Sequence, residues 1–135
     1  MVIYEDGYQT RDFVHIEDVV NANMLVLEKD VANAQAFNVG SGRATSVLEY
    51  ARLVREKIGT EVEFLIPAEY RTGDNRHSVS SISKLQALGW APTHTLSDIL
   101  DDFIEWIEKS GGVPKQIQDA YSYMKQAGVV LAAGK

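Results

Sequence analysis

The chain has no cysteine among its 135 residues. Disulfides, thiolate nucleophiles, zinc fingers and iron–sulfur clusters are therefore excluded. It also lacks a long apolar run, and the apolar stretch at residues 129–133 is far shorter than a membrane span. The first residues show no basic region followed by an apolar one, which argues against a secretory signal. We therefore expect a soluble, cytoplasmic protein that binds no membrane.

Basic charge is scarce as well. Lys and Arg number 13 against 19 Asp and Glu, which gives a net charge of −6 at pH 7. So acidic a chain is a poor candidate for broad contacts with nucleic-acid phosphates, although a few clustered basic residues could still bind a small anion. The 45% hydrophobic and 24% charged content is that of an ordinary globular domain. The length permits one domain, which can bury roughly two-thirds of its unfolded surface.

Periodicity predicts a mixed α/β fold with about five helices and a small sheet of short strands. Helices are expected at residues 16–29, 45–58, 83–88, 95–110 and 114–126. Short extended pieces are expected at residues 2–4, 9–14, 36–39 and 62–66. A Ser46–Glu49 capping box and Gly59 should bound the second helix. The apolar tail from residue 129 is expected to be loose.

Three helices have a predicted inner face, which in the second helix consists of Val47, Ala51, Val54 and Ile58. In the first helix this face consists of Val19, Val20, Asn23, Val26 and Leu27. In the fourth helix it consists of Ile99, Leu100, Phe103, Trp106 and Ile107.

Two short patterns suggest ligand sites but have simpler explanations. Gly40-Ser41-Gly42 follows an expected strand and precedes an expected helix, as a phosphate-binding loop would. Its spacing matches neither the dinucleotide fingerprint nor the P-loop, so we interpret it as a tight turn. His15, His77 and His94 lie far apart in the sequence, and no metal site is predicted from them.

Tyr121 and Lys125 have a Y-x-x-x-K spacing, in which a lysine lowers the pKa of a tyrosine so that its phenol can move a proton. Such a pair arises readily by chance in a chain of this composition. We interpret it as a surface pair on the last helix. The adjacent Asp101 and Asp102 are interpreted as a solvated helix face.

The arginines point to an anion site. Arg11 lies in an extended segment, and the polar loop at residues 68–79 contains Arg71, Asp74 and Arg76. A guanidinium offers planar, bidentate donors that fit a phosphate and stays charged when it is partly buried. Two arginines from separate segments could clamp a diphosphate while Asp74 accepts from a sugar hydroxyl. The residues alone leave this hypothesis and its alternative, surface ion pairs and turn residues, equally open.

Four segments of the chain match one set of motifs in order. They are residues 5–19 (E-D-G-Y-Q-T-R-D-F-V-H-I-E-D-V), 37–42 (F-N-V-G-S-G), 71–74 (R-T-G-D) and 82–92 (I-S-K through L-G-W to Pro92). Together they resemble the extended short-chain dehydrogenase/reductases. These are the NAD-dependent nucleotide-sugar epimerases and dehydratases, of which UDP-glucose 4-epimerase is the best-known type. The resemblance covers residues 1 to about 108.

The resemblance implies the C-terminal, substrate-binding lobe of an extended Rossmann-type enzyme. It implies a single lobe over residues 1–135, with residues 109–135 as a C-terminal helical extension. In the family, the arginines of R-D-F and R-x-G-D contact the nucleotide diphosphate, and the aspartate of R-x-G-D contacts the ribose. These positions are Arg11, Arg71 and Asp74 here, and no catalytic, cofactor-binding or metal-binding residue is implied.

The departures from the family limit what the chain can do. The NAD-binding Rossmann domain, with its glycine-rich loop and Tyr-x-x-x-Lys set, precedes the R-D-F segment and is absent from this chain. Tyr121 and Lys125 follow that segment, so chain order excludes them. The family's aspartate before x-S-K is Ser81, which we expect to cap a helix.

We therefore expect a lobe that grips a nucleotide-diphosphate sugar, binds no NAD alone and self-associates. An absent domain would supply NAD and the catalytic Tyr/Lys set. The alternatives are a stand-alone, non-catalytic binding or assembly module and a truncated remnant that folds by self-association.

Overall fold

The computed structural model describes residues 1–112 and 120–132. Five α-helices lie in this part of the chain: α1 (Ile16–Glu28), α2 (Val47–Ile58), α3 (Ser83–Ala87), α4 (Leu96–Lys109) and α5 (Ala120–Gln126). Four strands lie there too: β1 (Thr10–Arg11), β2 (Thr45–Ser46), β3 (Glu69–Arg71) and β4 (Val130–Ala132). They form two antiparallel pairs, β1 with β2 and β3 with β4. The prediction of a mixed α/β fold with small sheets is confirmed.

Capping residues decide where the longer helices begin and end. Ser46 Oγ accepts from the backbone N–H of Glu49 over 3.1 Å at the start of α2. Gly59 ends that helix in a left-handed conformation, with φ of 67°. At α4 the capping box is complete, because Thr95 and Asp98 each accept from the other's backbone. No helix of the described residues is both long and apolar enough to cross a membrane.

The expected strand positions are mostly wrong. Residues 36–39 and 62–66 form no strand, apart from an isolated bridge between Leu65 and Val2. β1 falls inside the extended piece expected at residues 9–14. Each ladder is only two or three residues long, and its partner lies far away in the chain, as with Thr10 opposite Ser46. A pattern of alternating side chains cannot reveal so short a ladder.

The C-terminal segment also differs from its prediction. The tail that was expected to be loose contains β4, and the extension is therefore not purely helical. α5 confirms the end of the helix expected over 114–126, whereas residues 113–119 lie outside the described residues. β4 pairs with β3 in a register that sets Arg71 opposite Val130.

Among the described residues, two apolar clusters form the core. One contains Ala22, Ile82, Leu85 and Trp90, with Leu25, Val26, Phe37 and Val39 packed against it. The other contains Ile3, Leu48 and Ala51, with Val47 and Phe64 packed against it. The second cluster joins the N-terminal residues to α2 and so supports the wall of the site described below.

Two helices bury only part of the face that was expected. α1 buries Asp18 and Ala22, while Val20 and Leu27 are exposed. α4 buries Leu100, but Phe103 and Trp106 are exposed. Both helices are apolar on more than one side, so their contacts decide which side is covered. On α1 that contact is with Leu85 and Trp90.

Candidate functional site

A cavity of about 260 Å³ lies between the N-terminal residues, β1, the start of α2 and the end of β3. Arg11, Arg71 and Asp74, the three predicted site residues, all line it. The structure thus brings together residues that the chain holds far apart. The full lining is Val2, Ile3, Tyr4, Glu5, Gln9, Arg11, Phe13, Val47, Tyr50, Arg71 and Asp74.

Arg11 is held by backbone carbonyl groups. Its Nη1 donates to the carbonyl oxygen of Thr10 over 2.8 Å and to that of Arg76 over 3.1 Å. Within residues 1–112 and 120–132, Nε and Nη2 of Arg11 make no hydrogen bond. The guanidinium is therefore oriented on one side and keeps further N–H donors for an anion.

Arg71 and Asp74 contact each other. Arg71 donates to Asp74 Oδ2 from Nε over 2.9 Å, and its Nη2 lies 2.7 Å from the same oxygen. The turn between them passes through Gly73 with φ of 87°, a value that favours glycine. The ion pair expected under the alternative interpretation, that of surface ion pairs and turn residues, is thus formed. It also holds a guanidinium and a carboxylate side by side at the cavity, where a ligand could engage both.

Arg76 belongs to a different contact. Its Nη1 lies 2.5 Å from Glu5 Oε2, and its Nη2 lies 2.6 Å from Asp6 Oδ2. The hydrogen bond from Arg76 lowers the pKa of Asp6. These pairs tie the polar loop to the N-terminal turn. Since its carbonyl also accepts from Arg11, Arg76 supports the site from outside the cavity.

Aromatic rings form one wall of the cavity, which the sequence interpretation missed. Phe13 and Tyr50 stack with ring centroids 4.7 Å apart and planes 6° from parallel. Tyr4 faces Arg71, whose guanidinium carbon lies 5.4 Å from its ring centroid. Burial raises the pKa of Tyr50 and also that of Tyr4, where it outweighs the opposing effect of Arg71. Both phenols therefore stay neutral, which suits them to packing against a ligand.

The Gly40–Gly42 turn binds a carboxylate of the chain itself. Asp12 accepts from the backbone N–H of Ser41 over 2.7 Å and from that of Gly42 over 3.1 Å. Its Oδ2 also accepts from the backbone N–H of Ser80 over 3.0 Å. The tight-turn interpretation holds, and the N–H groups that might have held a phosphate donate to Asp12 instead.

The buried carboxylate of Asp18 contacts the histidine cluster. Asp18 accepts from the backbone N–H and the hydroxyl of Thr93 and from the backbone N–H of His94. Burial opposes ionisation of Asp18, but these hydrogen bonds outweigh it and lower the pKa to about 2. The ring of His94 stacks on His15 at 4.1 Å. Its bond to Asp18 raises the pKa of His94.

The histidine cluster also includes Glu17, whose carboxylate lies near both rings. Such a group could hold a cation, a possibility that spacing along the chain did not reveal. His15 is already engaged, however: Nδ1 accepts from the N–H of Glu17, and Nε2 lies 3.0 Å from Asp102. The cluster caps α1 and joins it to α4, so its contacts are explained without a metal.

Several residues interpreted as surface features have specific partners. Tyr121 and Lys125 both bond to Glu69 on β3, so they are more than a surface pair. Asp101 and Asp102 are exposed as predicted, but Asp101 also contacts Lys57 at 2.5 Å. These contacts join the C-terminal helices to earlier parts of the chain.

Ser81 does not cap α3 as expected. The helix N-cap is Ile82, which makes no side-chain cap bond, and the hydroxyl of Ser81 lies 3.3 Å from that of Ser83.

Comparison with known proteins gives a consistent result. The NAD dependent epimerase/dehydratase family matches residues 1–40. The chain is 38% identical over 106 residues to a dTDP-L-rhamnose 4-epimerase of Burkholderia thailandensis, covering 78% of this chain and 29% of that protein. It superposes on the UDP-glucose 4-epimerase of Thermotoga maritima, determined with UDP-glucose, with a TM-score of 0.72 and 35% identity. That match covers 82% of this chain and 35% of the other. The chain corresponds to part of a protein of the NAD-dependent epimerase/dehydratase family.

The chain spans about a third of the length of the relatives that it matches. A third relative, the UDP-glucose 4-epimerase of Stenotrophomonas maltophila, has a TM-score of 0.69 and 30% identity. The match covers 78% of this chain and 34% of that one, which binds NAD and formylated UDP-arabinopyranose. The backbone N–H groups of the glycine-rich turn at residues 40–42, which a dinucleotide-binding loop would direct at its ligand, donate to Asp12 instead.

Proposed function

We propose that this chain is the nucleotide-sugar-binding lobe of a sugar-nucleotide epimerase or dehydratase. One observation carries the proposal: Arg11, Arg71 and Asp74 line a single cavity. In this lobe, which we take as residues 1–135, the two guanidinium groups grip the nucleotide diphosphate. Asp74 accepts from a ribose hydroxyl.

The chemistry of the cavity suits each part of such a ligand. A phosphate can accept two parallel bonds from a guanidinium, and Arg11 is already oriented by two carbonyls. The stacked rings of Phe13 and Tyr50 offer an apolar wall to the nucleoside or sugar. Ligand pockets usually measure about 300–1,000 Å³. The cavity of about 260 Å³ therefore suits only part of a nucleotide sugar, as expected of a lobe that shares its ligand.

The proposed lobe binds and orients but does not transfer hydride. Oxidation of a sugar carbon needs a bound nicotinamide, and the proton step needs its own base. We assign both to an NAD-binding part outside this chain. Holding the diphosphate would fix the position of the sugar relative to that part, which is how a binding group raises a rate.

A calorimetric titration tests the proposal. The wild-type chain is titrated with UDP-glucose, dTDP-L-rhamnose and GDP-L-fucose, because the base is not known. Arg11→Ala and Arg71→Ala are each expected to weaken binding by about tenfold to a hundredfold, because a charge-assisted hydrogen bond is worth about 1.5–3 kcal/mol. Arg52→Ala is the matched control, since Arg52 is exposed on α2 and does not line the cavity. A folded chain that binds none of the three would contradict the proposal.

A second candidate is an assembly module, which one surface favours. The apolar stripe of α1, defined as Ile16, Val20, Met24 and Leu27, is exposed along one helix face. Exposed apolar patches of this kind mark interaction surfaces. Under the main proposal the stripe is covered by the NAD-binding part of the full-length protein.

Light scattering combined with complementation separates the two candidates. If the chain is an assembly module, it should form an oligomer that Val20→Lys dissociates, and it should not bind a nucleotide sugar. If the chain is a substrate-binding lobe, it should bind the nucleotide sugar, and it should turn that substrate over once an NAD-binding half is added. Val79→Lys serves as the control, because Val79 is exposed outside the stripe.

A further inference from the structure

The C-terminal segment supports the strand that carries Arg71. In the β3–β4 ladder Arg71 lies opposite Val130, and the backbone N–H of Thr72 donates to the carbonyl of Val129 over 2.9 Å. The resemblance to the family ends near residue 108, so this segment lies beyond it. A two-stranded ribbon is marginally stable by itself and needs packing against another element.

α5 contacts the ribbon through the carboxylate of Glu69 on β3. Tyr121 donates from its hydroxyl to Glu69 Oε2 over 2.7 Å. Lys125 Nζ lies 2.7 Å from Glu69 Oε1, so both oxygens of this carboxylate contact α5. The side chain of Glu69 is only 13% exposed. Tyr121 and Lys125 stand four residues apart and therefore share one helix face, which explains their spacing without a catalytic role.

Tyr121 also lies beside Tyr4, which lines the cavity. The ring of Tyr121 lies 6.3 Å from that of Tyr4, centroid to centroid. The guanidinium carbon of Arg71 in turn lies over the ring of Tyr4, 5.4 Å from the ring centroid. Tyr121 thus reaches Arg71 by two routes: through Glu69 on the same strand and through the ring of Tyr4. Tyr121 itself does not line the cavity.

We propose that Tyr121 is a positioning residue that holds Arg71 in place for a nucleoside diphosphate. The inference rests on the proposed function, because it concerns the same site. A guanidinium that is already ordered loses less conformational entropy on binding than one on a fraying strand. Removing the anchor should therefore weaken binding even though no group that touches the ligand has changed.

A double-mutant cycle measures this coupling with UDP as the probe. In the full chain, Tyr121→Phe should lower the affinity for UDP about threefold to tenfold, the range expected for one hydrogen bond. In the Arg71→Ala background the same change should have no further effect, because the residue it positions is gone. Tyr123→Phe, an exposed tyrosine on the same helix, is the control. An equal loss in both backgrounds, or no loss in either, would overturn the proposal.

Hydrogen exchange separates this inference from the proposed function. The amide of Thr72 should exchange faster in Tyr121→Phe and in Glu69→Gln than in the wild type, and at the wild-type rate in Tyr123→Phe. If the wild type does not bind UDP, both the function and the role toward a diphosphate fail. In that case hydrogen exchange tests only whether Tyr121 anchors β3. An unchanged exchange rate at Thr72 in Tyr121→Phe would refute that role.

Discussion

Asp12 should be a main source of stability, and Asp12→Asn is the substitution that tests it. The carboxylate accepts from Ser41 twice, through the backbone N–H at 2.7 Å and the hydroxyl at 2.6 Å. It also accepts from the N–H groups of Gly42 at 3.1 Å and Ser80 at 3.0 Å. These bonds tie β1, the turn before β2 and the segment before α3 to one side chain.

The size of the effect follows from what asparagine retains. Its amide has nearly the shape of the carboxylate, and its carbonyl oxygen can still accept. The NH₂ group, however, replaces one acceptor oxygen with donors that face N–H groups. About two bonds are lost, and each hydrogen bond to a charged group is worth about 1.5–3 kcal/mol, so we expect a loss of about 3–6 kcal/mol. At roughly 3 °C per kcal/mol for a domain of this size, Tm should fall by about 10–20 °C.

Chemical denaturation followed by fluorescence is a suitable assay, since Trp90 lies in the core beside Ile82. Asp101→Asn is the control, because that carboxylate is exposed and pairs with Lys57, and it should cost less than about 1 kcal/mol. If Asp12→Asn is as stable as Asp101→Asn, the hydrogen bonds at Asp12 do not contribute as argued.

The pH dependence provides a second check on Asp12. Burial opposes ionisation, but the bonds from Ser41, Ser80 and Gly42 lower the pKa below its usual 3.8. The folded state therefore binds this proton less readily than the unfolded chain does. The stabilisation is present above about pH 4 and is lost as the pH falls through the folded pKa. Asp12→Asn should show a smaller loss of stability over that acid range than the wild type.

Two further predictions concern other contacts. Gly40→Ala should destabilise the fold by about 1–3 kcal/mol through overpacking, because the new Cβ would overlap Asp12 Oδ2 and lie 2.6 Å from Ser80 Cβ; an unchanged urea midpoint would contradict this. The hydrogen bond to Asp18 raises the pKa of His94 above its usual 6.5, so its stabilisation is present below about pH 6.5 and is lost as the pH rises through the folded pKa. The free energy of unfolding should then depend less on pH in His94→Gln, and an undiminished dependence would refute the assignment.

Motifs and local patterns predicted part of the site. Arg11, Arg71 and Asp74 could be named because each stands in a short recognisable segment, and the structure brings them to one cavity. Tyr4 and Tyr50, which also line it, stand in no such pattern. A residue becomes part of a wall only when distant segments meet, and nothing in its sequence neighbourhood marks that event.

The C-terminal residues that support the site could also be predicted only in part. The spacing of Tyr121 and Lys125 suggested a chemical pair, but their partner is Glu69, more than fifty residues earlier. Spacing correctly placed both side chains on one helix face. It could not identify what that face touches.

The sequence by itself determined where α2 begins and ends and where α4 begins. Caps such as Ser46 and Thr95, and stops such as Gly59, satisfy backbone groups within a few residues, so they act before any tertiary contact forms. The tertiary structure decided which helix face is buried, which strands pair and which anion the turn at Gly40–Gly42 holds. These outcomes depend on contacts between distant residues, such as Asp12 with Ser80, and so only the folded chain could select them.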